Sequence, residues 1–291
     1  MPEGLSCPDD FTDVCITMNA SKKYNASQRD RGFTLIELLV VISVIALLIA
    51  ILLPALNKAR ESAKSTVCTS SLHSWALVFG VYSGDYDGKW SQWPRDYTTG
   101  WWMVLLKPYY SVEKMRACPA AVLDIDEKVI PLQMNQDTYG GAKEAWGPVW
   151  DGTTGSYGIN HYLYGHVSNI WTTDNDKAFF WGRIETSGMG NNVPLLMDCT
   201  WPGTFPSYSD SVPPSGDDGN PTQQWGLGIN CEMARVCLDR HGRAINSSFT
   251  DLSCRKVPLP ELWDMKWHRQ WKPQFKTKEE FVDQNGRQWL Q

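Results

Sequence analysis

None of the eight cysteines forms a Cys-x-x-Cys pair, which removes the usual spacing of zinc ribbons and thioredoxin-type redox sites. There is no surplus of positive charge: 27 Lys and Arg stand against 32 Asp and Glu, a formal net charge of -5. Nonspecific nucleic-acid binding by the whole chain is excluded on that ground. No Ser or Cys sits in a recognisable nucleophile elbow, and no carboxylate pair has a glycosidase-like context. The twelve-residue EF-hand pattern is missing, as are internal repeats and low-complexity tracts. Accordingly no catalytic residue, no cofactor and no metal ligand is assigned, and the chain is read as a non-enzyme. Disorder of the whole chain is excluded by an aromatic content of 12% with well-mixed charge.

The chain does contain 15 Trp in 291 residues and a very uneven distribution of apolar side chains. A mean hydropathy of -0.35 describes an ordinary soluble protein, but residues 33–56 read FTLIELLVVISVIALLIAILLPAL, 24 residues whose only charge is Glu37. At about 1.5 Å per residue this run covers roughly 36 Å as a helix, enough for a bilayer core of about 30 Å. A cleaved secretory signal has a shorter apolar core, and a buried soluble helix is rarely apolar on every face for this distance. A plain anchor accounts for the length but leaves Glu37 unexplained. Basic residues flank both ends, Lys22, Lys23, Arg29 and Arg31 before and Lys58, Arg60 and Lys64 after, so charge bias orients the helix only weakly.

The run RGFTLIELLVVISVIALLIAILLPAL resembles the N-terminal signature of type IV pilins and type II secretion pseudopilins. The resemblance implies cleavage by a prepilin peptidase between Gly32 and Phe33, with methylation of the new Phe33 amine. It makes Glu37 the fifth mature residue, where the family carries its Glu, and Pro54 the twenty-second, where a helix-kinking Pro is frequent. By the same resemblance Glu37 neutralises the N-terminal amine of a neighbouring subunit during assembly. The implied partners are the prepilin peptidase, other pseudopilin subunits, an inner-membrane secretion platform and the lipid bilayer, with no nucleic acid. The implied location is the bacterial inner membrane, single-pass, with the globular domain periplasmic. A carboxylate inside an apolar helix is costly, about 2.5–3.5 kcal/mol for a central acidic residue on insertion scales, so its presence points to a role.

Residues 1–32 are read as the leader. Residues 1–17 are acidic and lack Lys and Arg, whereas Met18 opens MNASKKYNASQRDRG, a complete basic leader, so translation is expected to start at Met18. Cys7 and Cys15 precede the cut in either case.

Past Pro54 the helix is expected to continue, with Leu56, Ala59, Ala63, Val67, Leu72, Trp75, Phe79 and Tyr82 forming an apolar stripe and Gly84 and DYDG supplying the stop. The resulting organisation is a transmembrane and assembly helix over 33–56, an amphipathic continuation over 57–86, and an exported globular domain over 87–291. The fold class is α+β, the long helix packing on a small antiparallel sheet with long loops. Residues 193–201 read as a strand and 235–251 as strand and hairpin; 101–110 lean towards a short helix, and the Pro-rich 202–230 is a long irregular loop.

Segments such as SLHSWALVFGVYSGDYDGKW, MRACPA and GSYGINHYLYG are similar to pseudopilin-like proteins abundant in planctomycetes. Many of those end in an H-x9-D-G region; His241 and Asp251 have that spacing, with Leu252 in place of the Gly. Asp239, His241, Asn246 and Asp251 offer a metal or catalytic group, against the preferred reading of a hairpin whose polar side chains bond to backbone. Asp217 and Asp218 offer a calcium loop against the favoured solvated turn.

Widely spaced cysteines in a loop-rich chain fit an oxidising compartment. Cys68 and Cys118 are the expected first disulfide, clamping the helix to the chain just after the WWMVLLKPYY segment; Cys199, Cys231, Cys237 and Cys254 allow three pairings. The Trp clusters 90/93/101/102 and 263/267/271 are read mainly as core. A tethered glycan- or surface-binding protein using the aromatic-rich domain is the alternative function.

Overall fold

The computed structural model describes residues 33–90, 101–121, 139–147, 149, 152–165, 178–183, 190–213, 232–283 and 285–290. The chain divides into two compact units, Met1–Ile51 and Leu52–Gln291, within which α1 (Leu35–Asp85) runs as one helix of 51 residues. Its apolar sequence has no β-strand alternation and no internal Gly before Gly80. Pro54 lies inside it; having no N–H, it leaves the Ala50 carbonyl without the usual partner four residues on.

In the first unit, every described residue is exposed, although the sequence there is almost wholly apolar. Among the described residues, α1 is the one helix long and apolar enough to cross a membrane.

The second unit is α+β. It contains the remainder of α1, a short α2 (Trp102–Leu105) in the segment read as helix, and strands β1 (Tyr157–Asn160), β2 (Pro194–Asp198), β3 (Gly203–Thr204), β4 (Ala244–Phe249) and β5 (Cys254–Pro258). The order is β3-β1-β2-β4-β5. The expected all-antiparallel sheet is corrected here, because β3 runs parallel to β1 while the other pairs are antiparallel. After β2 the chain reverses through 199–202 and lays two residues along the far edge of β1, so β3 takes β1's direction. Gly158 permits that crossing: a Cβ there would lie 2.5 Å from the Trp201 carbonyl oxygen and 2.7 Å from Cys199 Sγ. The hairpin also shifts: strand begins at Ala244 rather than 235, and β4 pairs with β5 across residues 250–253.

Strands β1, β2 and β4 are buried at every position, so both faces of the sheet are covered. One face meets α1, through Ser65 hydrogen-bonded to Asn246 of β4 and Tyr157 of β1 to Cys68. On the opposite face, Asn160 donates to the Trp267 carbonyl at 2.8 Å, so the C-terminal segment covers it. The stripe on α1 is shorter than its sequence pattern: Leu56, Ala59, Ala63 and Val67 are exposed, and burial starts at Cys68 and continues through Leu72, Trp75, Phe79 and Tyr82.

Ten of the eleven described tryptophans are buried, and Trp289 is half-buried. Several of their indole N–H groups reach carbonyls outside the sheet: Trp75 to Met115 at 2.7 Å, Trp102 to Pro202 at 2.8 Å and Trp263 to Asp210 at 3.1 Å. A loop-rich domain leaves many carbonyls outside ladders, and an indole supplies a donor together with a large apolar area. The ten buried rings belong to the core of the domain and have no open face for a sugar; Trp93, of the first cluster, lies outside the described residues.

Candidate functional site

Two groups of residues stand out, one at the start of α1 and one under its second half. At the start, Thr34 and Glu37 form a capping box. The Thr34 N–H and hydroxyl each donate to Glu37 Oε2 at 2.9 Å, and the Glu37 N–H donates to Thr34 Oγ1 at 3.2 Å. Two of the backbone N–H groups at the helix start are thereby satisfied locally, and the carboxylate lies at the positive end of the helix dipole. The family resemblance assigns Glu37 an intersubunit role and leaves out this local one, although Thr-x-x-Glu is its usual sequence signal. Phe33 is 71% exposed. Gly32 lies outside the described residues, as do Cys231, Asp217 and Asp218.

The second group surrounds Asp198, at the end of β2. Arg240 Nη1 donates to Asp198 Oδ1 at 3.0 Å, and the Asn246 N–H donates to Oδ2 at 2.8 Å. His241 Nε2 lies 3.2 Å from Oδ2 and 3.3 Å from Cys118 Sγ. Cys68 Sγ is 3.6 and 3.7 Å from the two carboxylate oxygens. One ligand atom from each of Cys68, Cys118, Asp198 and His241 lies within 4.8 Å of all the others, and all four residues are buried.

Four distant chain segments build this centre. Cys68 comes from the buried face of α1, Asp198 from β2, and His241 from the tight turn before β4, where Gly242 and Arg243 both have positive φ. Cys118 is held by its own N–H to Ser156 Oγ at 2.5 Å. Arg240 also donates to the carbonyls of Ser156 and Gly141 at 2.7 Å and of Ala142 at 2.9 Å. Its guanidinium is therefore fixed by backbone on one side and carboxylate on the other.

The electrostatics derive from these partners. Burial works against the Asp198 carboxylate, but Arg240 and His241 outweigh it and hold its pKa below the usual value. Burial opposes the His241 imidazolium, yet hydrogen bonds to Asp198 and Cys118 raise its pKa to about 9. The Cys118 thiol is lowered to about 6, chiefly by its hydrogen bond with Cys68, while burial pushes Cys68 well up. The centre is a buried cluster of two sulfurs, an imidazole and a carboxylate, groups able to hold a cation.

The structure thus brings together Cys68, Cys118, His241 and Asn246, with no sulfur–sulfur bond between the two cysteines. Asp239 is not part of this group: it accepts the Arg243 N–H in the turn, and it is not on a strand with His241. Asp251 lies beyond the far end of β4, accepting from the Ser253 N–H and hydroxyl. Leu252, where the H-x9-D-G pattern has Gly, takes φ 67, a left-handed conformation that explains the pattern's glycine. Cys199 and Cys254 are free thiols, raised by burial to about 12 and about 11, and Cys237 is buried. Sequence reasoning misses Asp198 and Arg240; the available signal is a single carboxylate closing the apolar run VPLLMD.

The family described as a prokaryotic N-terminal methylation motif matches residues 27–53. The N-terminal segment carries the prepilin-type methylation motif. The chain is 56% identical over 55 residues to the type IV wide pilus major component PilA4 of Thermus thermophilus, covering 19% of this chain and 42% of that one. It is 37% identical over 60 residues to a ComG operon protein 3 homolog of Bacillus licheniformis, covering 21% and 62% respectively. The matches therefore span about half the length of these relatives. No solved structure matches the chain.

Proposed function

We propose that this chain is a pilin-type structural subunit of a pseudopilus or pilus, in type II secretion or a related machine. The observation that carries the proposal is the prepilin-type segment itself: an apolar helix, exposed along its whole described first part, with Glu37 on its first turn. Exposed apolar surface of this extent needs lipid or other helices around it. In this reading a prepilin peptidase cuts between Gly32 and Phe33 and methylates Phe33. The subunit waits in the inner membrane, with its domain on the periplasmic side, until the secretion platform extracts it. Subunits then stack by their helices. A relative whose name makes it a major pilus component supports the polymer over a lone anchor.

Glu37 Oε2 accepts both Thr34 donors, which leaves Oε1 to meet the methylated amine of a neighbour without breaking the cap. The test is Glu37→Ala in cells, reading membrane insertion and polymer yield separately. Normal insertion with loss of polymer is expected; normal polymer would refute the assembly role. Gly32→Val should leave an unprocessed precursor, and maturation at Phe33 in that variant would refute the cut.

A further inference from the structure

We infer that Cys68, Cys118, Asp198 and His241 form a closed tetrahedral site for a zinc-type divalent cation that fastens α1 to the sheet. The donor set is two thiolates, an imidazole nitrogen and a carboxylate oxygen, a combination that suits Zn²⁺ in a four-coordinate structural site. The spacing fits as well. Bonds of about 2.3 Å to sulfur and about 2.0–2.1 Å to nitrogen and oxygen require tetrahedron edges near ~3.6 Å for S···N, ~3.5 Å for S···O and ~3.3 Å for N···O. With Oδ2 as the carboxylate ligand, the corresponding separations are 3.3 Å for Cys118 Sγ to His241 Nε2, 3.7 Å for Cys68 Sγ to Asp198 Oδ2, and 3.2 Å for His241 Nε2 to Asp198 Oδ2.

The surroundings provide an outer layer of the kind that orients metal ligands. Tyr157 donates its hydroxyl to Cys68 Sγ at 3.3 Å, and the Ala120 N–H donates to Cys118 Sγ at 3.4 Å. Arg240 and the Asn246 N–H hold the Asp198 carboxylate. Charge balances too. With the ion bound, both sulfurs are thiolates and the imidazole is neutral, the protons they held having gone to solvent, so a 2+ ion with two thiolates and one carboxylate carries a net −1, which the Arg240 guanidinium cancels.

A Cys68–Cys118 disulfide is the competing fate of the same sulfurs. It uses two of the four groups and gives no reason for a buried carboxylate and imidazole to converge on them. Coordination uses all four and also shields the thiolates from oxidation.

The experiment uses full-length, detergent-solubilised protein isolated without reductant. Elemental analysis is expected to give about one zinc per chain, as a single four-ligand site requires. After chelation and thiol reduction, Co²⁺ titration should give intense tetrahedral d–d bands and thiolate-to-cobalt charge transfer, both abolished by added Zn²⁺. Cys118→Ser and His241→Gln should weaken Co²⁺ binding by more than about 100-fold, since loss of even an outer partner costs about 10–100-fold. Cys254→Ser, a thiol outside the cluster, should retain the full spectrum. Circular dichroism of each variant separates loss of the site from loss of the fold, and in wild type Zn²⁺ should protect Cys68 and Cys118 from alkylation. A disulfide-linked Cys68–Cys118 peptide in the isolated protein would overturn the inference. So would a Co²⁺ spectrum without thiolate charge transfer, or one unchanged in Cys118→Ser.

Discussion

Asp210 offers a sharp test of how burial sets the stability of the globular unit. It is 5% exposed, its Oδ2 accepts the N–H groups of Ser207 at 3.1 Å and Met233 at 2.8 Å, and the charges facing it are Glu232 and Arg235. Burial dominates and raises its pKa from 3.8 to about 7. An acid whose folded pKa is raised binds more protons folded than unfolded between those values, so folding stability falls as pH rises through the window. At about 1.4 kcal/mol per pH unit the effect is capped near ~4 kcal/mol. Asp210→Asn keeps an acceptor for both N–H groups and carries no charge to desolvate. Relative to wild type it should be neutral or slightly weaker at pH 4 and gain up to ~4 kcal/mol by pH 7.5, or roughly 8–16 °C at about 2–4 °C per kcal/mol for a domain this large. The difference between the two proteins is the quantity to follow. The wild-type profile alone is mixed, because His161, held neutral by burial, pulls the opposite way below its ordinary value. Thermal unfolding of both proteins by circular dichroism between pH 4 and 8 provides the measurement. A difference that stays flat across the window, or grows towards low pH, would refute the reasoning.

Arg240→Met should cost about 3–5 kcal/mol, because the buried Asp198 carboxylate would lose its guanidinium partner and the carbonyls of Ser156, Gly141 and Ala142 would lose a donor. Denaturant titration in the presence of chelator checks this, and adding Asp198→Asn should recover part of the loss; no recovery would show that the charge is not what costs. Gly203→Ala should destabilise strongly, since its Cβ would sit 2.0 Å from His161 Nε2, and an unchanged melting temperature would mean that the ring moves aside freely. At Leu252 the backbone and side chain oppose each other: φ 67 costs about 1–2 kcal/mol, while the half-buried side chain lies against Gly80 of α1. Leu252→Gly should therefore be about 1 kcal/mol more stable than Leu252→Ala, and the reverse order in denaturant midpoints would disprove the strain.

What could be read from the sequence was what local signals encode. The apolar run, Glu37 on its first turn and the short helix at Trp102 all derive from composition and spacing within a few residues. The capping box had an equally local signal that the family resemblance overshadowed. Cys68 and Cys118 were coupled by the logic of two thiols needing partners. Asp198 and Arg240 were not, because nothing near them in sequence marks a pairing across 42 residues. The two-residue β3 is too short to carry a pattern, which is why the sheet was expected to be antiparallel. The stripe on α1 continued on paper through Leu56 because periodicity records which face a residue is on, whereas only the reach of the sheet decides whether that face is covered.

The placement of the tryptophans has a practical consequence. Every one lies at residue 75 or later, and the described rings are inside the globular unit rather than along the apolar helix. Tryptophan emission therefore comes without any contribution from the apolar N-terminal part of α1. If the proposed assembly holds, emission from the buried rings should stay blue while subunits pass from bilayer to polymer and move to the red when the globular unit opens. The native chain thus carries its own optical reporter, one that distinguishes assembly from unfolding without a label.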